Sequence, residues 1–217
     1  MATTRVVHVL RDAQTIIQDK TGVRWPLSEL LGWFNLAQVA VVAARPDACT
    51  RNEKFTAVLG TKQVLPAEGL RLIDVPRNEA GTKKPIRRLE KRVLDDQTDW
   101  HDQTTPSPTV QHYVYDDRDP KTFYLFPAPS AGVEVLLVYS VAPAAIEIAN
   151  FDTDNKVMAL DDVYRPPILD YILYRAYSKD ADYAGNANRA MASLQAFNNA
   201  LGVKMSADQV MSPNSNA

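Results

Sequence analysis

The 217-residue sequence predicts an α+β fold: a helical bundle of N- and C-terminal helices with an inserted antiparallel β module. Three observations carry this. Apolar residues recur at three- and four-residue steps near both ends, the period of helices buried along one side. Between them, short apolar or alternating runs are separated by Gly, Pro, Asp and Asn, the punctuation of strands and turns. Residues 160–202 hold the longest unbroken helical rhythm.

Over residues 5–20, Val6, Leu10, Ala13 and Ile17 share one helical face, Val9 and Ile16 widen it, and Gly22 terminates the helix. Pro26 suits the first turn of the next helix. Leu27, Leu30, Leu31, Phe34, Ala37, Val41 and Ala44 carry that helix to Arg45-Pro46, and its run LAQVAVVAA predicts cover on most sides. Gly32 and Asn35 are its weak points and mark close packing.

In the middle, FTAVL and KQVLP flank Gly60-Thr61 and read as a hairpin over 55–65. Residues 70–78 give a third strand, with Leu70, Leu72 and Asp74 alternating with Arg71, Ile73 and Val75. IRRLEKRVLDD is ambiguous: a strand would put Leu89 and Val93 on one face, a helix would group Ile86, Leu89 and Val93, and the strand-rich surroundings favour a strand that breaks at Asp95-Asp96. Trp100 anchors the polar loop 95–109 onto the sheet. VQHYVY and TFYLFP bracket DDRDPK as a second hairpin turning at Asp119-Pro120, and 133–141 supplies a further strand.

Toward the C-terminus, Asp161 and Asp162 provide acceptors where a helix begins, with Pro166 and Pro167 in its opening turn. Ile168, Leu169, Tyr171, Ile172, Leu173 and Ala176 make a wide apolar stripe. Asn186 caps a second helix with an apolar edge of Ala187, Ala190, Leu194, Phe197 and Leu201, and Gly202 stops it. Ala184, Ala187, Ala190, Ala192, Ala196 and Ala200 permit close approach by the chain's own helices or by another subunit. The predicted division is 1–50, N-terminal helices; 51–150, β-rich insertion; 151–203, C-terminal helical hairpin; and 204–217, an extended polar tail that only a partner would order.

Composition excludes some functions. Lys+Arg number 24 against 26 Asp+Glu, a formal charge of -2, which argues against coating nucleic acid by bulk electrostatics. The single cysteine, Cys49, rules out an intramolecular disulfide and fits a reducing compartment. No signal peptide and no membrane span is read, so a soluble protein made in a cytoplasm is expected.

Candidate chemistry is sparse. Asp95, Asp96, Asp99, His101 and Asp102 cluster as a carboxylate metal hydrolase requires, but also as any solvated loop does, and no rigid ligand spacing is set. His8 lies beside an apolar stripe with no second ligand at helical spacing. Lys83, Lys84, Arg87, Arg88, Lys91 and Arg92 form a basic run that could meet DNA phosphates or a partner, or be a solvated face; no aromatic residue interleaves for base stacking. Tyr164, Tyr171, Tyr174, Tyr177 and Tyr183 suit core and interface packing. Arg175 and Lys179 are read as ion-pairing with Asp170 and Asp180. No phosphate loop, nucleophile elbow or zinc spacing occurs, so no catalytic residue, cofactor or metal is assigned.

Four stretches resemble the head-to-tail adaptor proteins of short-tailed bacteriophages related to tail tubular protein A. They are VRWPLSELLGWFNLAQVAVVAARPDA, LGTKQVLP followed by LRLIDVPRN, VQHYVYDDRDPKTFYLFPAP, and YRPPILDYILYRAYSKDADYAGNANRAMASLQAFNNALG, and together they span most of the chain. The resemblance implies a non-enzymatic virion protein at the head-tail junction. It would form a homo-oligomeric ring, a dodecamer, beneath the portal protein, seat the downstream tail or nozzle protein, and let packaged DNA pass through its lumen. It points to Tyr174, Arg175 and Lys179, and to Lys204, Met205, Val210 and Met211 in the tail, as subunit or portal contacts. The loops at 80–84 and 116–121 would then face neighbouring subunits or the next tail component.

Overall fold

The elements run α1 (Val6–Ile16), α2 (Leu27–Ala44), β1 (Thr50–Thr56), β2 (Lys62–Val64), β3 (Gly69–Asp74), β4 (Arg87–Arg88), α3 (Lys91–Asp95), β5 (His112–Tyr115), β6 (Thr122–Phe126), β7 (Glu134–Val141), α4 (Arg165–Lys179) and α5 (Asn186–Met211). This computed structural model describes residues 2–81, 83–96, 100–101, 105–180, 182–183 and 185–211, with 203–211 as backbone alone. The chain divides into a helical unit, Met1–Ala48 with Pro143–Ala217, and a β unit, Cys49–Ala142.

In the helical unit α4 is central, packed against α5, α2 and α1. Val6, Val9, Leu10 and Ala13 of α1, Leu30, Phe34, Ala37 and Val41 of α2, and Ile168, Ile172 and Ala176 of α4 have 0% exposure. Each fully buried Leu, Ile, Val or Phe among them contributes about 1.5–3 kcal/mol. The predicted first helix is shorter than its pattern. Gln18 takes a left-handed φ of 60°, and the Asp19 carboxylate accepts the N–H groups of Val23, Arg24 and Trp25 at 3.1, 2.8 and 2.8 Å, so a side-chain-organised turn replaces the last helical turn. Ile16, predicted to widen the apolar face, is 47% exposed.

The segment 143–161 is fastened to α1 and α2 by polar groups. Asn35 pairs reciprocally with the Ile146 backbone, donating to its C=O at 3.0 Å and accepting its N–H at 2.9 Å. Gln38, 1% exposed, accepts the Ala159 N–H at 2.9 Å. Ahead of α1, Arg5 bridges antiparallel to Val157, flanked by Val6 N–H to Lys156 C=O at 3.0 Å and Met158 N–H to Thr4 C=O at 3.1 Å.

Three helical expectations are corrected. First, the cover of α2 is interrupted along one stripe, where Gly32, Leu36, Val39 and Ala43 face solvent. By length and composition it is the one described helix able to cross a membrane, yet its opposite side is a core surface. Second, Gly185, with φ of 87°, precedes α5, and Asn186 is its first residue; the Asn186 amide reaches back to the Asp180 carboxylate at 2.8 Å. Third, α5 continues to Met211 instead of stopping at Gly202, which is outside the left-handed region and helical. Residues 204–211 therefore belong to a helix, where an extended tail is predicted.

The β unit is two sheets around one core. β7 is the centre of the antiparallel sheet β1-β7-β3, and the order β2-β6-β5-β4 makes the other, in which β4 and β5 are parallel. Phe123, Leu125, Val135, Leu137 and Tyr139, all 0% exposed, join both sheets in that core. The β5–β6 hairpin forms as predicted. The predicted 55–65 hairpin does not: β1 pairs with β7 and β2 with β6, so the Gly60 turn passes between sheets. The buried Gln63 amide shapes that crossing through Val58 N–H at 2.9 Å and the C=O groups of Val58 and Gly60 at 3.0 and 2.8 Å. In β3, register irregularities at Gly69/Arg71 and Leu72/Asp74 turn the expected alternation into burial at Gly69, Leu72 and Val75. The predicted strand through Asp95 ends at Arg88; α3 follows, burying Leu94 and leaving Val93 47% exposed.

Candidate interaction surfaces

The predicted contacts on α4 differ in how free they are. Tyr174 is half-buried, with its ring edge-on to Tyr171 at 5.9 Å, and Tyr171 stands edge-on to Phe197 of α5 at 5.3 Å. Arg175 is exposed. The Lys179 ammonium lies 2.7 Å from the Glu29 carboxylate of α2, so its charge is matched inside the helical unit. Asp180 takes the Arg24 guanidinium in place of the expected lysine. Burial raises the Asp170 carboxyl above its usual pKa. Lys204, Met205, Val210 and Met211 ride the last turns of α5, and their side chains lie outside the described residues.

The basic run is spread over a loop, an edge strand and a short helix. Asn78, 2% exposed, donates to the C=O groups of Lys84 and Val110 at 3.0 and 2.8 Å and accepts the Val110 N–H at 2.9 Å, which holds the end of the 79–84 loop. Lys83 lies 3.7 Å from Glu79 and Arg92 lies 3.6 Å from Glu90. Arg77, hydrogen-bonded to Glu79 at 2.8 Å, together with Lys83, holds the Glu79 carboxyl below the usual range. Lys84, Arg87, Arg88 and Lys91 are exposed and have no acidic partner among the described residues.

The acidic loop is anchored as predicted. Trp100, 3% exposed, packs with Leu94 and Val114 and donates its indole N–H to Asp95 at 3.1 Å. Asp99 and Asp102 lie outside the described residues, and among the described residues no three His, Cys, Asp or Glu side chains are grouped to hold a metal. Tyr139 donates to Glu53, and burial, reinforced by that carboxylate, pushes its hydroxyl up to about 12. Burial likewise raises the Cys49 thiol, which makes it a poorer thiolate source.

Two surfaces escape a residue-by-residue search for chemistry: the outward side of α2 and the outward side of α5. On α5, Asn188, Met191, Ala192, Gln195 and Asn199 recur at helical steps along its solvent-facing side. The signal that reveals both is an absence of charge: no Asp, Glu, Lys or Arg occurs from Leu30 to Ala44 or from Ala190 to Val203.

No curated protein matches the sequence. The model of the SU10 adaptor protein family matches residues 4–217, and the chain belongs to that family of phage adaptors, which makes it a structural constituent of the virion.

Proposed function

We propose that this chain is the head-to-tail adaptor of a short-tailed phage, akin to tail tubular protein A, forming a ring beneath the portal. The ring seats the downstream tail or nozzle protein and continues the DNA channel, and the resemblance suggests twelve copies. The observation that carries the reading is the family match from residue 4 to residue 217, which spans both units and the whole of α5. The α4–α5 hairpin and residues 204–217 are the portal-facing elements in this reading, and the loops at 80–84 and 116–121 face neighbours or the next component. Continuation of α5 through Met211 supports it, since a helical extension can dock as a preformed element and needs less ordering than an extended tail.

The test is co-sedimentation of the purified chain with the portal of the same phage, followed by imaging of the complex. A ring of adaptor on one end of the portal is expected. Failure to associate over a range of salt and protein concentrations overturns the proposal.

One observation favours a second role within it. Lys84, Arg87, Arg88 and Lys91, exposed and without acidic partners among the described residues, are available to DNA phosphates or to an acidic partner surface.

A further inference from the structure

The cations between Lys83 and Arg92 fall into two groups by their neighbours. Lys83 leans to Glu79 at 3.7 Å and Arg92 to Glu90 at 3.6 Å, whereas Lys84, Arg87, Arg88 and Lys91 are exposed with no acidic partner among the described residues. The backbone that carries these four is tied together by one buried side chain. Asn78, 2% exposed, uses its whole amide: its N–H groups go to the C=O of Lys84 at 3.0 Å and of Val110 at 2.8 Å, and its oxygen accepts the Val110 N–H at 2.9 Å. Its backbone N–H adds a second bond to the Lys84 C=O at 2.9 Å.

From that clamp the frame runs on through β4 to α3. Gln111, next to Val110, accepts the Arg87 N–H at 3.0 Å, and Tyr113 accepts the Leu89 N–H at 2.9 Å, so Arg87 and Arg88 lie in register with His112 and Tyr113 of β5. Adjacent strand residues leave on opposite faces, and β4 is the last strand of its sheet, so the two arginines flank the sheet edge from either side. Beyond them Leu94, packed with Trp100 and Val114, pins α3, whose first residue is Lys91. Four cationic side chains are thus mounted on backbone already in place, which lowers the ordering cost of binding.

The surroundings select the ligand. Over residues 83–92 Ile86 is buried and Leu89 half-buried, so this surface lacks the desolvated apolar centre of a protein interface. It also lacks an aromatic residue on which unpaired bases would stack. A row of positively charged donors remains, and that is the chemistry that meets the phosphates of a duplex.

We infer that the β4 edge is a seat for the sugar-phosphate backbone of duplex DNA, in which Lys84, Arg87, Arg88 and Lys91 meet phosphates and Asn78 is the residue that positions them. The inference deepens the DNA role proposed above and rests on it. Asn78 acts through the Lys84 carbonyl and the strand entry at Val110, without touching DNA itself.

The full chain is titrated against a fluorescent DNA duplex of mixed sequence, by anisotropy, across about 50–200 mM salt. Four phosphate contacts give a slope of log binding constant against log salt of about -3.6. Lys84→Gln and Lys91→Gln, both at exposed positions, are each expected to shrink it by about 0.9. Asn78→Ala removes no charge, yet with an unchanged circular dichroism spectrum, below its melting temperature, it is expected to shrink the slope by about 1–2. Asn78→Ser, which keeps a hydroxyl at the site, replaces it should the alanine variant not fold. No binding of the duplex at the lower salt, or a wild-type slope in both lysine variants, overturns the seat. A folded Asn78 variant with the wild-type slope removes its positioning role. Displacement of the duplex by poly-glutamate as readily as by unlabelled duplex would assign the surface to an acidic protein instead. None of these outcomes bears on the ring, which co-sedimentation with the portal measures separately.

Discussion

Asp162 fastens Thr3 across a sequence separation of 159 residues: its carboxylate accepts the Thr3 hydroxyl at 2.6 Å and the Thr3 N–H at 3.0 Å, and also the Thr4 N–H at 2.9 Å. Asp162 is predicted at a helix start, yet its acceptors serve the N-terminal segment, while Asp161 takes the local role by accepting the Val163 N–H at 3.2 Å. The Thr3 hydroxyl first, then the Thr4 N–H, hold the Asp162 carboxyl far below the ordinary aspartate value of 3.8.

The sign of the pH effect follows. A carboxyl whose folded pKa is depressed contributes stability that is fully present above the unfolded value near 3.8 and is lost as pH falls through the folded value. Asp162→Asn is expected to speed amide exchange at Thr3 and Thr4 at neutral pH. It should also flatten the acid limb of a stability-against-pH curve below pH ~4 relative to wild type. Hydrogen exchange and thermal melts between pH ~2 and ~7 measure both.

At the alkaline end the group to follow is Tyr139. Its raised hydroxyl contributes stability that is complete below the ordinary value of 10 and fades as pH climbs toward about 12. Tyr139→Phe should remove part of the alkaline loss of the β unit, read from denaturant midpoints on either side of that window.

Asn35→Ala removes both hydrogen bonds to Ile146 and leaves its backbone N–H and C=O without those partners. The expected cost is about 1–3 kcal/mol. A chemical-denaturation series on the helical unit's tryptophans checks it, and no change in midpoint would refute the clamp.

Lys179→Ala separates two roles for a residue predicted as a contact. Its pair with Glu29 is partly exposed, with side chains 48% and 30% accessible, so losing it should cost no more than about 1 kcal/mol. A loss of portal binding far exceeding that change would assign Lys179 to the portal; binding that follows stability would leave it to Glu29.

Arg87→Glu with Arg88→Glu tests the basic run. If both side chains meet phosphates, the slope of log binding constant against log salt should shrink by about 2. An unchanged slope on duplex DNA would remove DNA as the partner of this surface.

The interior of the fold is largely legible in the chain. Val6, Leu10 and Ala13, Leu30, Phe34 and Val41, and Ile168 and Ile172 are named by periodicity and are buried, because an amphipathic period leaves one burial solution per helix. The β5–β6 hairpin is legible for a similar reason, two apolar runs around a strong turn. The candidate interface is less so. Lys179 pairs with a glutamate distant in the chain, and no local spacing announces that.

The class of the fold, the placing of a β-rich stretch between two helical ones and most of the core are dictated by the residues alone, since these depend on period, turn residues and apolar content within short windows. Three features come only from the packed molecule: the Gly60 turn joins two sheets, β3 buries every third residue, and α2 keeps one apolar side in water. Each depends on which distant surface arrives at a given side chain. β2 finds β6 instead of β1, bulges opposite β7 reset the face of β3, and α4 covers one side of α2 and leaves Leu36, Val39 and Ala43 outside. Hydrophobic burial is non-directional, so an apolar helix such as α2 states that it must be covered without stating by what, and the covering surface is chosen by whatever the rest of the fold brings to it.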